Sequence, residues 1–89
     1  MLNIESVEYS RKFLKKLSHL PARLIDKAQE RERIFKVRPF DPSLDTHKLH
    51  GRDKDCWSFS IDRKYRIKFA FLTDGYVLFL DVGTHDMYN

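Results

Sequence analysis

The chain is nearly free of cysteine: Cys56 is its only one in 89 residues. A single thiol excludes an internal disulfide and any multi-cysteine metal site, and it agrees with a reducing cytoplasm. Glycine and proline are scarce, three of each, and there are no internal repeats or low-complexity tracts. One domain over 1–89 with a modest core is expected. Long apolar runs are missing, so no segment reaches the length of a membrane span. The N-terminal MLNIESVEYS lacks the charged-then-apolar order of a secretory signal. None of the four histidines is spaced with a cysteine as zinc ligands are. The expectation is a soluble, cytoplasmic protein with no metal, no small-molecule cofactor and no membrane partner. Acidic residues fall short of basic ones, 13 against 17, for a net charge of +4. That excess suits a polyanion such as RNA, DNA or a ribosome, although many small basic proteins bind none.

What the chain has in quantity is β-branched and aromatic residues, concentrated from Cys56 to Tyr88. Three apolar runs separated by polar breaks predict a three-stranded antiparallel meander. Trp57, Phe59 and Ile61 alternate with Ser58, Ser60 and Asp62, while Ile67, Phe69 and Phe71 alternate with Arg66, Lys68 and Ala70. Asp74-Gly75 is the favoured dipeptide of a two-residue hairpin turn. It sets Phe71 opposite Leu78, Lys68 opposite Asp81 and Arg66 opposite Gly83, with Leu78, Leu80 and Val82 in the core. For the first hairpin, a three-residue connection from Asp62 to Lys64 places Ser60 opposite Arg66 and Ser58 opposite Lys68. A two-residue turn would instead bury Arg66 beside Ile61. The polar face then carries Ser58, Ser60, Arg66, Lys68 and Asp81. If the last strand continues, His85 is a diagonal neighbour of Arg66, roughly 7–8 Å away. Leu72, Val77, Ala70 and Phe79 fall on that same side as an apolar patch, either folded over by the chain or covered by a partner.

Upstream, Leu2 to Ser6 alternates as a short first strand whose partner the sequence does not name. From about Val7, Tyr9, Phe13, Leu17 and Leu20 make a helical stripe, with Arg11, Lys12, Lys15 and Lys16 on the other side. That basic face is a solvated surface or a nucleic-acid contact. Pro21 fits the first turn of a second helix, which Arg38-Pro39 ends. Between Arg38 and Gly51, Phe40, Leu44 and Leu49 can pin a structured connection to the core. The order strand, helix, helix, strand, strand, strand predicts an α+β sheet with both helices on one face.

The segments PFDPSLDTHKLHG, WSFSIDRKYRIKF and DGYVLFLDVGTHDMY together resemble the RelE/ParE superfamily of toxins from bacterial type II toxin–antitoxin pairs. The likeness runs from roughly Tyr9 to the C-terminus and is greatest to RelE, YafQ and YoeB-like members. It implies a small α+β toxin with a cognate antitoxin as partner. RelE-like members cut mRNA on the ribosome, the 2′-hydroxyl attacking the adjacent phosphate, whereas ParE-like members poison DNA gyrase. By the same likeness Arg66 in KYRI matches the arginine that works on the scissile phosphate. His85 in GTHD matches the C-terminal catalytic histidine of YafQ and YoeB-like toxins, and His47 in THKLHG a YafQ-like histidine for base chemistry. Tyr88 resembles the terminal aromatic near the cut. The chain departs from the pattern at Ser60 and Lys64, where YafQ-like toxins have histidine and aspartate, and the YoeB-like glutamate has no counterpart.

Attack by a 2′-hydroxyl carries its nucleophile in the substrate, so it needs a proton acceptor, a cation for the phosphorane and a proton donor to the leaving oxygen. His47 and His85 suit proton transfer and Arg66 suits phosphate. Each has a plainer reading: Arg66 as a strand arginine paired with an acid, His85 as a surface histidine, His47 as a satisfied loop side chain, Tyr88 as packing on the sheet edge. Lys68 and Asp81 read as a cross-strand ion pair, with Lys68 still able to bind RNA phosphate. Arg63 and Lys64 at the turn tip are backbone contacts or exposed charges, and His19 and His50 are solvated. The Arg66 and His85 pair favours an mRNA endoribonuclease with ribosome and mRNA as further partners. The alternatives are a gyrase inhibitor and an inactive relic that only binds its antitoxin.

Overall fold

The computed structural model describes residues 4–84. Strand β1 (Ser6–Tyr9) is followed by helices α1 (Arg11–Ser18) and α2 (Ala22–Val37). A connection with two 3-10 turns, Pro42–Leu44 and Gly51–Asp53, holds the two-residue strand β2 (His47–Lys48) between them. Strands β3 (Trp57–Ser60), β4 (Tyr65–Phe71) and β5 (Tyr76–Thr84) complete a sheet in the order β1-β5-β4-β3-β2. It is the expected α+β arrangement, with two additions: the connection contributes the short strand β2 to the sheet edge, and β1 pairs with β5 in parallel, while the other pairs are antiparallel.

The N-terminal boundary differs from the reading of the sequence. Leu2 and Asn3 of the expected Leu2 to Ser6 strand lie outside the described residues; Ile4 and Glu5 precede the strand, which is Ser6–Tyr9, so Val7 and Tyr9 belong to it and the helix begins later. Ser10 decides this, because its hydroxyl accepts the Phe13 N–H at 3.0 Å and caps α1. Tyr9 still stacks on Phe13 at 5.8 Å between ring centroids, which is why it looked like part of the helical stripe. The start of α2 agrees: Pro21 is its cap and the helix runs to Val37, ahead of Arg38-Pro39.

Both helices cover one face of the sheet. Phe35 of α2 stacks on Phe59 at 4.8 Å and meets Phe69 and Phe79 edge-on, and Phe13 of α1 meets Phe79 at 5.4 Å. Leu44 and Leu49 pin the connection as expected. Phe40 does not reach the core; it stays half-exposed against Trp57 and Phe71. No helix among the described residues is long and apolar enough to cross a membrane.

The first hairpin has the expected register: Ser60 faces Arg66 and Ser58 faces Lys68. Its three-residue turn is held by the Asp62 carboxylate, which accepts the N–H groups of Lys64 and Tyr65 at 2.8 Å each. The second hairpin carries two departures that offset each other. Asp74 and Gly75 do take positive φ, 55° and 84°, but Leu72 N–H donates to the Tyr76 carbonyl, so Thr73 joins the loop. The ladder near the turn is thereby shifted by one residue, and Phe71 faces Val77, not Leu78. A β-bulge at Leu80, across from the Lys68/Phe69 step, restores the register, and beyond it Lys68 faces Asp81 and Arg66 faces Gly83. Since one residue inverts every side chain, Val77 and Phe79 are fully buried in the core and Leu78 and Leu80 are only partly buried. The apolar patch expected from Leu72, Ala70, Val77 and Phe79 therefore does not exist as such.

Candidate active site

The β4 residues that alternate with the core set face away from the helices, and the connection folds back over them. There Arg66 is only 3 % exposed. Its Nε donates to Ser58 Oγ at 2.9 Å and Nη1 to Ser60 Oγ at 2.7 Å, two residues supplied by the facing strand β3. Nη2 donates to the Asp45 carbonyl at 2.8 Å, and Nη1 lies 3.4 Å from the Asp45 carboxylate. A strand arginine open to solvent, as the alternation suggested, is thus replaced by a guanidinium held in a polar cage. The cage still borders water, because the Asp45 side chain is 72 % exposed.

His47 of β2 pairs with Ser58, and this brings its Nδ1 to 3.2 Å from Arg66 Nη2 and 3.0 Å from the Asp45 carbonyl. The two contacts demand opposite tautomers. Accepting from the guanidinium needs a bare Nδ1, whereas donating to the carbonyl needs Nδ1–H and leaves the lone pair on Nε2. The ring itself is exposed.

Asp45 was missed by the sequence reading. It sits in the left-handed region at φ 49°, ending the 3-10 turn, a conformation aspartate adopts more readily than most residues. The available signal was its spacing two residues before His47 in LDTH.

The predicted pair of Lys68 and Asp81 is not formed, although the two do face each other. Lys68 Nζ reaches Asp53 at 3.0 Å. Asp81 is taken by α1, with Lys16 at 2.8 Å and Lys12 at 3.4 Å. β1 pairs only as far as Phe79, so α1 lies along the rest of β5 and its lysines arrive at Asp81 from that side. Burial raises the Asp81 carboxyl, but the Lys16 hydrogen bond and charge, the Val82 N–H and Lys12 outweigh it and hold the group below its usual range. Of the basic residues expected to face RNA, Lys12 and Lys16 thus serve Asp81, while Lys15, Arg63 and Lys64 are exposed. His85 and Tyr88 lie outside the described residues. Among the described residues, no group of three His, Cys, Asp or Glu is placed to hold a metal.

No protein-family model and no curated protein matches the sequence. Solved structures do match. The YoeB/ParE toxin from Agrobacterium tumefaciens superimposes with a TM-score of 0.76 at 18 % identity, covering 90 % of this chain and 98 % of that one. YafQ from E. coli gives 0.75 at 20 % identity, covering 91 % and 93 %. The toxin–antitoxin complex RelBE2 from Mycobacterium tuberculosis gives 0.75 at 17 % identity, covering 90 % and 96 %. The chain has the fold of the RelE/ParE superfamily of toxins.

Proposed function

We propose that this protein is the toxin of a type II toxin–antitoxin pair and a ribosome-dependent mRNA endoribonuclease, acting in the cytoplasm as a single domain over 1–89. The observation that carries the reading is the convergence of Arg66, His47, Asp45, Ser58 and Ser60 on the face of the sheet away from the helices. The likeness of the fold to YafQ and to YoeB/ParE and RelBE2 toxins supports it, and the last of these, solved with its antitoxin, supports a cognate antitoxin as partner.

In this reading an RNA phosphate displaces the exposed Asp45 carboxylate from Arg66 Nη1, at 3.4 Å the longer of its two Asp45 contacts. The serines keep the guanidinium in place while it neutralises the phosphorane. With Nδ1–H on the Asp45 carbonyl, His47 Nε2 takes the proton of the 2′-hydroxyl. The 2′-oxygen bonds to phosphorus and the bond to the 5′-oxygen breaks. That oxygen leaves with a proton from the second acid, the role assigned to His85, and Tyr88 stacks near the cut. The products are a 2′,3′-cyclic phosphate and a 5′-hydroxyl end. No metal or cofactor enters this scheme. Arg63, Lys64, Lys15 and Lys68 contribute charge toward RNA and ribosome, with Lys12 and Lys16 reduced to a share of their field by Asp81.

The test is inducible expression with mapping of mRNA 5′ ends alongside gyrase-dependent DNA breaks. New 5′-hydroxyl ends within translated codons are expected, and Arg66→Lys should lower their yield by tenfold or more, because a point charge cannot hold both serines and a phosphate. DNA breaks without message cuts would replace the reading by gyrase inhibition. Growth arrest with neither would overturn both readings, and no arrest at all would leave only an antitoxin-binding role.

A further inference from the structure

A second polar surface adjoins the Arg66 cage. An open groove of about 370 Å³ runs between α2 and the β3–β4 turn, lined by Lys27, Arg31, Ser43, Ser60, Ile61, Asp62 and Arg63. Its wall is continuous with the site, because Ser60, whose hydroxyl accepts from Arg66, also faces the groove. Arg23, Lys27 and Arg31 are four residues apart along α2 and so form one stripe. Arg31 is only partly satisfied: Nη1 donates to the Ser43 carbonyl at 3.3 Å, and its buried Nε has no partner. Among the described residues, Arg23, Lys27 and Arg63 take part in no ion pair.

The acids nearby are already committed. Asp62 turns its carboxylate onto the N–H groups of Lys64 and Tyr65, and the charges of Arg23 and Lys27 help keep it ionised. Asp41 holds Ser43 through its N–H and hydroxyl and pairs with Arg38. What remains is an excess of cationic donors in a groove whose one apolar lining residue, Ile61, is buried, so that its exposed carbon surface belongs to polar and charged residues. A peptide would find little to bury there, whereas a phosphodiester chain needs only charge and hydrogen-bond donors.

We propose that this groove is a phosphate-binding track for the RNA strand that enters the Arg66 site, with Lys27, Arg31 and Arg63 holding the phosphates next to the one that is cut. The proposal rests on the endoribonuclease reading for the identity of the strand. It assigns α2 a role in substrate binding, with Arg31 poised by Ser43 and Ser60 shared between the two phosphate positions.

The test is fluorescence anisotropy of the full chain with a short dye-labelled single-stranded RNA carrying 2′-O-methyl riboses, which cannot be cut, across a salt series. Lys27→Gln with Arg63→Gln should weaken binding by about fivefold or more at low salt and flatten the slope of log Kd against log salt by about 1.4, since each phosphate contact on a single strand contributes ~0.7. Circular dichroism confirms folding, and each single variant should give half the change in slope. An unchanged slope, or no RNA binding by the wild type, overturns the proposal. So does loss of binding to vacant ribosomes or to antitoxin with the oligonucleotide slope intact, which would assign the groove to ribosomal RNA or to an acidic peptide. Message cutting by the wild type is scored separately. A flattened slope without cutting keeps the track and removes the nuclease reading, whereas cutting with an unchanged slope does the reverse.

Discussion

Asp81 is the residue at which the sequence reading and the structure assign different partners to the same charge. It is buried and ionised, and it ties α1 to β5 through Lys16 and Lys12. Its carboxyl is held below the usual value, so the folded state keeps the group charged at pH values where the unfolded chain takes up a proton. The stability this gives is complete above the unfolded value of about 3.9 and is lost as pH falls through the lower folded value. Thermal melting should therefore show a steep loss below about pH 4. Asp81→Asn should lower Tm at neutral pH and flatten that acid limb. An unchanged acid limb in the variant would mean that other carboxylates govern it. Arg66 shows the same contrast in milder form. Alternation placed it correctly across from Ser60 and Gly83, but its burial depended on a loop whose path no pattern in β4 could reveal.

At the scale of elements, one serine sets the junction between β1 and α1. Ser10 Oγ accepts from Phe13 N–H and donates to the Leu80 carbonyl at 2.9 Å, while its own N–H donates to the Phe79 carbonyl. It thus caps the helix and anchors it at the β5 bulge, where a ladder carbonyl would otherwise lack a strand partner. Ser10→Ala should cost about 1–2 kcal/mol in urea unfolding. Ser10→Thr should recover most of this. Ser10→Asp, which keeps the cap but has no donor for Leu80, should recover only part. Full recovery by Asp would show that the anchor to Leu80 contributes nothing. Periodicity missed the junction because β1 and α1 place Tyr9 and Phe13 on the same aromatic cluster, so one apolar stripe crosses two elements.

Across the whole molecule, the core is an aromatic assembly in which Phe35, Phe59, Phe69 and Phe79 meet with ring centroids 4.8–6.4 Å apart. Phe79 is therefore not available as an anchor for a partner. Phe79→Ala should cost about 3–5 kcal/mol, a large share of the stability of a chain this size, and Phe79→Asp should prevent folding. Leu72→Asp, at a half-exposed position that the sequence grouped with Phe79, should change stability by no more than about 0.5 kcal/mol. Equal losses at the two positions would contradict the burial described. A partner that covers this part of the sheet cannot use Val77 or Phe79 as anchors.

The sequence by itself determined the α+β order, the boundaries of α2, the positive-φ turn at Asp74-Gly75 and the pairing of Arg66 with Ser60 and Gly83. These follow from local rules: alternation, turn chemistry and proline geometry act over a few residues and leave direct marks in the chain. Only the tertiary structure decided the parallel pairing of β1 with β5, the bulge at Leu80 and the cage that Asp45 and His47 close around Arg66. It also decided the groove in which α2 faces the Asp62 turn. Parallel strands meet through long crossovers that have no turn signature. The bulge lies where Ser10 anchors α1 to the Leu80 carbonyl, and a one-residue change there inverts a whole face without altering composition. The site brings Asp45 and His47 to Arg66, 21 and 19 residues away, and the groove joins α2 to the β3–β4 turn; such contacts arise from packing of the assembled core, which no window of sequence contains.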